Sequence, residues 1–110
     1  MNENKKVLLV DDNFSTRNSY ELILKIKGYD VVSVSSVEEA LIYKNEGFDI
    51  AILDGLEGKC FGLIDEISAN RPLIITGDEG IFNEAKRKNI ESYPRPLSRE
   101  NRNKIFGDNE

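Results

Sequence analysis

Asp11, Asp12 and Asp54 are the residues whose placement says most about chemistry, because each stands where an apolar run stops. Val7-Leu8-Leu9-Val10 ends at the Asp11-Asp12 pair, and Ile50-Ala51-Ile52-Leu53 ends at Asp54. Four consecutive apolar residues read as a strand buried on both faces, the pattern of a parallel sheet. Open α/β sheets bind their ligands outside the carboxyl ends of such strands. Two strands therefore bring three carboxylates to one sheet edge, with no Lys or Arg beside them in sequence. Carboxylates held that close need a cation, so the trio reads as a metal-dependent site.

The elements that position them alternate strand and helix throughout. After Asp12, Ser15 or Thr16 can cap a helix running to about Lys27, with Tyr20, Ile23 and Leu24 on its buried face and Gly28 ending it. Val31 to Val34 is a second strand, mixed enough to lie near an edge. Ser36-Val37-Glu38-Glu39 is a capping box for a short helix. Phe48 to Leu53 is the third strand, followed by a loop from Gly55 to Phe61. A helix from Gly62 to Ala69 would bury Leu63, Ile64 and Ile67. Pro72 opens a fourth strand ending at Thr76-Gly77, and a helix over about Ile81 to Lys88 turns Phe82 and Ala85 inward. Ile90 to Tyr93 is a fifth strand, stopped by Pro94-Arg95-Pro96, and Ser98 caps a last helix to about Phe106. Five βα units with right-handed crossovers give a doubly wound parallel sheet in one domain, 1–110. Buried runs at strands one, three and four suit the order 2-1-3-4-5, with the switch point between strands one and three, beside the carboxylates.

Composition narrows the functions. The net charge of −5 argues against direct nucleic-acid binding. The charge is uneven: residues 1–80 hold 8 Lys/Arg against 15 Asp/Glu, and residues 81–110 hold 7 against 5, so the basic end could be drawn toward the acidic site. The lone Cys60 rules out a disulfide framework and reads as inert. Absence of histidine removes the usual zinc sites and general base. The polar start and lack of a long apolar segment imply a cytoplasmic protein without membrane attachment.

These residues together resemble the receiver domain of bacterial two-component response regulators. VLLVDDN is similar to that family's first strand and acidic pair, IAILD to its third strand and phosphoacceptor, and IITG to its fourth strand with hydroxyl and small neighbour. Gly62 falls where the family has a glycine opening the third helix, and Arg95-Pro96 stands in place of Lys-Pro. The resemblance implies a flavodoxin-like three-layer sandwich that is no enzyme but a phosphoacceptor. It implies that Asp54 takes a phosphoryl group from the phosphohistidine of a sensor histidine kinase or phosphotransfer protein. Mg²⁺ would be held by Asp12, Asp54 and the Leu56 carbonyl, with Asp11 on a metal-bound water. Thr76 would bond a phosphoryl oxygen, Gly77 would leave room for it, and Arg95 would supply the second positive charge. The Arg95-Pro96 bond would be cis. The whole would act as a stand-alone receiver, monomer or weak dimer, presenting a changed surface to a downstream effector.

Three positions depart from the family's pattern. Arg95 replaces a compact ammonium with a wide planar guanidinium. Gly58 stands where proline is usual, which predicts a looser loop. Ser92 stands where an aromatic switch is usual, with Tyr93 beside it. The departures support an alternative: a pseudo-receiver acting as a phosphorylation-independent interaction module. A flavin site is disfavoured because carboxylates would face its phosphate, and an aspartyl-phosphate phosphatase would want Asp-x-Asp and a longer chain.

Overall fold

The computed structural model describes residues 5–107, so residues 1–4 and 108–110 of the expected domain lie outside the description. Its strands are β1 (Lys6–Val10), β2 (Asp30–Val34), β3 (Phe48–Asp54), β4 (Ala69–Thr76) and β5 (Ser92–Pro94). All pairings are parallel, in the order β2-β1-β3-β4-β5. The helices are α1 (Phe14–Ile26), α2 (Val37–Leu41), α3 (Cys60–Glu66), α4 (Glu79–Arg87) and α5 (Arg99–Phe106).

Alternation along the strands makes two cores. Val7, Leu9, Ile50, Ile52, Leu73 and Ile75 pack with Leu24, Ile105 and Phe106 beneath α1 and α5. Leu8, Val10, Ala51, Leu53 and Ile74 pack with Ala40, Cys60, Leu63 and Ala85 beneath α2, α3 and α4. Both faces of β1 and β3 are dry, hence their uninterrupted apolar runs. Each large side chain buried there stabilises the fold by about 1.5–3 kcal/mol. This fixes where both strands end, and so where the carboxylates stand.

Element ends differ from expectation for local reasons. Asn13, rather than Ser15 or Thr16, caps α1, its side chain accepting the Thr16 N–H at 2.9 Å. The helix can start this early because the Asp11 carboxylate turns the chain by accepting the Asn13 N–H. Ser36 caps α2, but Glu39 reaches back to the Ser35 N–H instead of Ser36, shifting the box by one residue. α3 runs over Cys60–Glu66, not Gly62–Ala69. A tight turn delivers the chain to Cys60, and Ile67 is already extended.

β4 likewise begins at Ala69 instead of Pro72. The Ile74 N–H donates across to Glu91, and residues two apart face the same side. The Pro72 nitrogen therefore faces the side of β4 that β5 has not yet reached, where a missing donor costs nothing. α4 starts at Glu79, capped by Asp78, and Ile81 rather than Phe82 packs on the core. β5 is Ser92–Pro94 rather than Ile90–Tyr93; Ile90 packs against the core just ahead of it. Ser98 caps α5 as expected.

Candidate functional site

Asp11 leaves β1 with its N–H on the Val34 carbonyl and its side chain only 2% exposed. Its Oδ1 accepts the Asn13 N–H at 2.9 Å, and its own carbonyl accepts Arg17 Nη1 at 2.7 Å. Asp12 is exposed and forms no ion pair among the described residues. Asp54 ends β3, with Oδ2 facing the Leu56 N–H at 3.4 Å. One oxygen from each carboxylate lies within 4.8 Å of the other two. The strand ends thus assemble the three acids as expected. Burial, the largest influence, and then the neighbouring Asp54 push Asp11 above the usual carboxylate range, while the Asn13 N–H and Arg95 oppose them.

The cation absent from the local sequence arrives from the residue after β5. Arg95 Nη1 donates to Asp54 Oδ1 and Nη2 donates to Asp11 Oδ2, both at 3.1 Å. Its backbone N–H holds the Thr76 carbonyl, the Arg95-Pro96 bond is cis, and its guanidinium carbon lies 6.0 Å from the Tyr20 ring centre. Burial lowers the Arg95 pKa, but Tyr20 and the two carboxylates outweigh it, so the group stays charged. Expected as a phosphate clamp, Arg95 here spans two carboxylates, which makes it the resident counter-ion of Asp11 and Asp54.

Thr76 ends β4, nearly buried, its Oγ1 accepting the Asp78 N–H at 3.0 Å. The space beside Gly77, expected to admit a phosphoryl oxygen, is open; the Thr76 side chain itself is accommodated by Gly55. A Cβ there would fall 2.7 Å from Thr76 Oγ1, whereas one on Gly77 would meet only Arg95 Cβ, at an ordinary 3.9 Å. In the sequence Gly55 is only the first residue of a loop, and the one signal of its role is its place directly after Asp54. Arg17, which grips the Asp11 backbone, carried no signal at all.

The segment after Asp54 is a hydrogen-bonded turn. Leu56, Glu57 and Gly58 all have positive φ, of 53°, 57° and 91°. The Gly58 N–H bonds the Gly55 carbonyl at 2.9 Å, and the Lys59 N–H bonds the Leu56 carbonyl at 3.0 Å. Proline cannot adopt a positive φ, so glycine at 58 is what this turn requires. Leu56 lines a cleft of about 180 Å³ with Asp12, Ser35, Ser36, Glu57 and Lys59.

Ser92 is buried, its hydroxyl without a partner among the described residues, whereas Tyr93 packs with the α1/α5 core and bonds Glu91. Neighbouring strand residues face opposite sides, so Tyr93 is not a shifted copy of the aromatic usual at position 92. Cys60 is fully buried, and burial, then Asp54, pushes its thiol up to about 11, in keeping with an inert core residue. Three mutually reachable carboxylates are a hard-oxygen donor set, the kind that suits a small divalent cation such as Mg²⁺.

No family model matches the chain. Among solved structures, a CheY-like response regulator receiver domain protein from Methanospirillum hungatei JF-1 superposes with a TM-score of 0.70 at 24% identity, covering 94% of this chain and 91% of that one. A CheY-like receiver domain from Methylobacillus flagellatus gives 0.71 at 16% identity over 94% and 96%. A response regulator from Burkholderia pseudomallei, solved with a phosphorylated aspartic acid, calcium ion and citrate, gives 0.67 at 23% over 88% and 63%. By sequence, the "Probable transcriptional regulator ycf27" of Porphyridium aerugineum is 41% identical over 61 residues, 54% of this chain and 25% of the relative. That of Porphyra purpurea is 40% identical over 62 residues, 56% of this chain and 26% of the relative. The chain spans about a quarter of the length of these curated relatives. Its fold is that of response regulator receiver domains. No helix among the described residues is long and apolar enough to cross a membrane.

Proposed function

We propose that this chain is a phosphorylatable receiver of two-component signalling, with Asp54 as the phosphoacceptor. The observation that carries the reading is the convergence at one sheet edge. Asp11, Asp12 and Asp54 lie within mutual reach, Arg95 touches two of them, and Thr76 ends the next strand. In the proposed reaction the Asp54 carboxylate attacks the phosphorus of a phosphohistidine on a sensor kinase or phosphotransfer protein. The N–P bond breaks, an O–P bond forms, and the imidazole departs. Charge spreads over the transferring oxygens, so catalysis is positioning and neutralisation. Asp12, Asp54 and the Leu56 carbonyl would hold Mg²⁺, with Asp11 behind a bound water; the ion would supply positive charge to the phosphoryl oxygens. The Thr76 hydroxyl, seated against Gly55, would bond one of those oxygens, with Gly77 leaving room for it. Arg95 would move from Asp54 to the phosphoryl group, remaining near Asp11.

As a stand-alone cytoplasmic receiver, monomeric or weakly dimeric, it would act on a separate effector through a changed surface, without touching nucleic acid itself. The experiment is intact mass after incubation with acetyl phosphate and Mg²⁺. Gain of one phosphoryl group by the wild type, and none by Asp54→Asn, supports the reading; no gain by the wild type refutes it. One observation favours a second reading, a pseudo-receiver that never turns over phosphate. Both terminal guanidinium nitrogens of Arg95 are committed to carboxylates, so one oxygen of Asp54 is already occupied. That reading expects phosphate uptake in Arg95→Lys but not in the wild type.

A further inference from the structure

Hydrogen bonds hold the Arg95 guanidinium by its far edge. Nη1 bonds Asp54 and Nη2 bonds Asp11, whereas Nε is buried with no hydrogen-bond partner among the described residues. Two bonds define an axis, and a planar group can pivot about it. A contact on the flat face of the group is what limits the pivot.

Tyr20 supplies that contact. Tyr20, Ile23 and Leu24 share one face of α1 at the spacing of a buried stripe. Leu24 is fully buried, and the Tyr20 ring packs against the same α1/α5 core. Phe106, buried at the end of α5, fixes the ring, with centroids 5.5 Å apart and planes inclined by 48°. The Arg95 guanidinium carbon lies over this anchored ring, 6.0 Å from its centre. The negative face of an aromatic ring attracts a cation, and a planar, weakly hydrated guanidinium stacks on it better than an ammonium does. A core position by itself does not call for an aromatic, since Ile23 and Leu24 fill the rest of the stripe. The ring at position 20 and the arginine at position 95 are thus a matched pair.

We infer that Tyr20 is a positioning residue for Arg95, holding the guanidinium on Asp11 and Asp54 and so setting how readily a divalent cation displaces it. The inference rests on Mg²⁺ binding by the carboxylate trio, as proposed above, and adds what regulates that binding. With the ring in place, Arg95 competes for one oxygen of each carboxylate. Without the ring the guanidinium yields those oxygens more easily, and Mg²⁺ binds more tightly. Loss of core packing alone predicts the opposite sign, because a loosened strand end disperses the carboxylates.

The test uses the full chain without any phosphodonor, and isothermal titration calorimetry reads its affinity for Mg²⁺. The proteins are wild type, Tyr20→Phe, Tyr20→Leu, Arg95→Ala and the Tyr20→Leu/Arg95→Ala double variant, with folding of each checked by circular dichroism. Tyr20→Met, whose flexible side chain fills an irregular gap, replaces leucine if that variant does not fold. Tyr20→Leu should tighten Mg²⁺ binding roughly fivefold, the scale of a partly buried cation–π contact, while Tyr20→Phe, which keeps the ring, should stay within about twofold of the wild type. In the Arg95→Ala background the leucine substitution should change nothing. Unchanged or weaker Mg²⁺ binding by folded Tyr20→Leu overturns the inference, as does equal tightening with and without Arg95. Absence of Mg²⁺ binding in every protein overturns it together with the metal reading. Failure of acetyl phosphate to label Asp54 refutes the receiver reading alone, because the calorimetry involves no phosphoryl transfer.

Discussion

Removing the Arg95 guanidinium should destabilise the protein and tighten its hold on Mg²⁺, two effects with one electrostatic origin. Arg95 lies 3.1 Å from an oxygen of both Asp11 and Asp54. With charge centres about 4 Å apart and an effective dielectric near 20, each attraction is worth about 4 kcal/mol before desolvation. The carboxylate oxygens, within 4.8 Å of one another, repel by roughly 3.5 kcal/mol on the same scale. Breaking a buried charge network typically costs about 3–5 kcal/mol, and Arg95 keeps 27% of its side chain exposed, so about 2–3 kcal/mol is the expected loss in Arg95→Ala. For a domain of this size that lowers the melting temperature by roughly 10 °C. Asp12 touches no cation among the described residues, so Asp12→Asn should raise the melting temperature without metal. In Asp54→Asn the lost Arg95 contact and the relieved repulsion nearly cancel. Millimolar Mg²⁺ should stabilise the wild type, and Arg95→Ala more strongly, because the competing cation has gone. Thermal unfolding followed by circular dichroism, with and without Mg²⁺, reads all four proteins. If Arg95→Ala melts within about 2 °C of the wild type in the absence of metal, the counter-ion argument is wrong.

Phosphorylation separates charge from shape at the same position. Arg95→Lys should keep or raise the rate of labelling by acetyl phosphate, while Arg95→Ala should lower it roughly a hundredfold; equal rates for wild type and alanine would remove Arg95 from the chemistry. Gly55→Ala, with its methyl 2.7 Å from Thr76 Oγ1, should cost about 1–3 kcal/mol and slow labelling by displacing that hydroxyl. A variant that melts and reacts like the wild type would mean that the strand ends are not tightly packed. Burial pushes Glu91 up, but hydrogen bonds from Arg71 and Tyr93 outweigh it and hold its carboxyl below the ordinary 4.5. Its stabilising contribution is therefore complete above that range and lost as pH falls through the lowered value. Glu91→Gln should melt lower at pH 7 and converge on the wild type as the pH falls below the range in which Glu91 protonates; parallel curves would show that the network contributes nothing pH-dependent.

The strand order and the gathering of Asp11, Asp12 and Asp54 were legible in the sequence because they follow from hydrophobic burial with a short period. A run buried on both faces can only be an inner parallel strand, and the residue after it stands at the sheet edge. Helix starts were less legible. Asn13, Ser15 and Thr16 are all competent caps, and the choice rested on the Asp11 carboxylate reaching the Asn13 N–H. The early start of β4 was hidden by Pro72, which a central strand forbids and a locally unpaired side of that strand permits.

Tertiary structure alone decided the electrostatics of the site. Arg95 is 84 residues from Asp11 and 41 from Asp54, so no local pattern could pair them. Nor could composition reveal that Gly55 is the glycine pressed against Thr76, or that Arg99 and Arg102 gather beside Ile26 instead of joining Arg95. Periodicity determines which face of an element is buried, through interactions a few residues long. Which charges meet depends on how crossovers bring distant strand and helix ends together, and that is a property of the closed sheet.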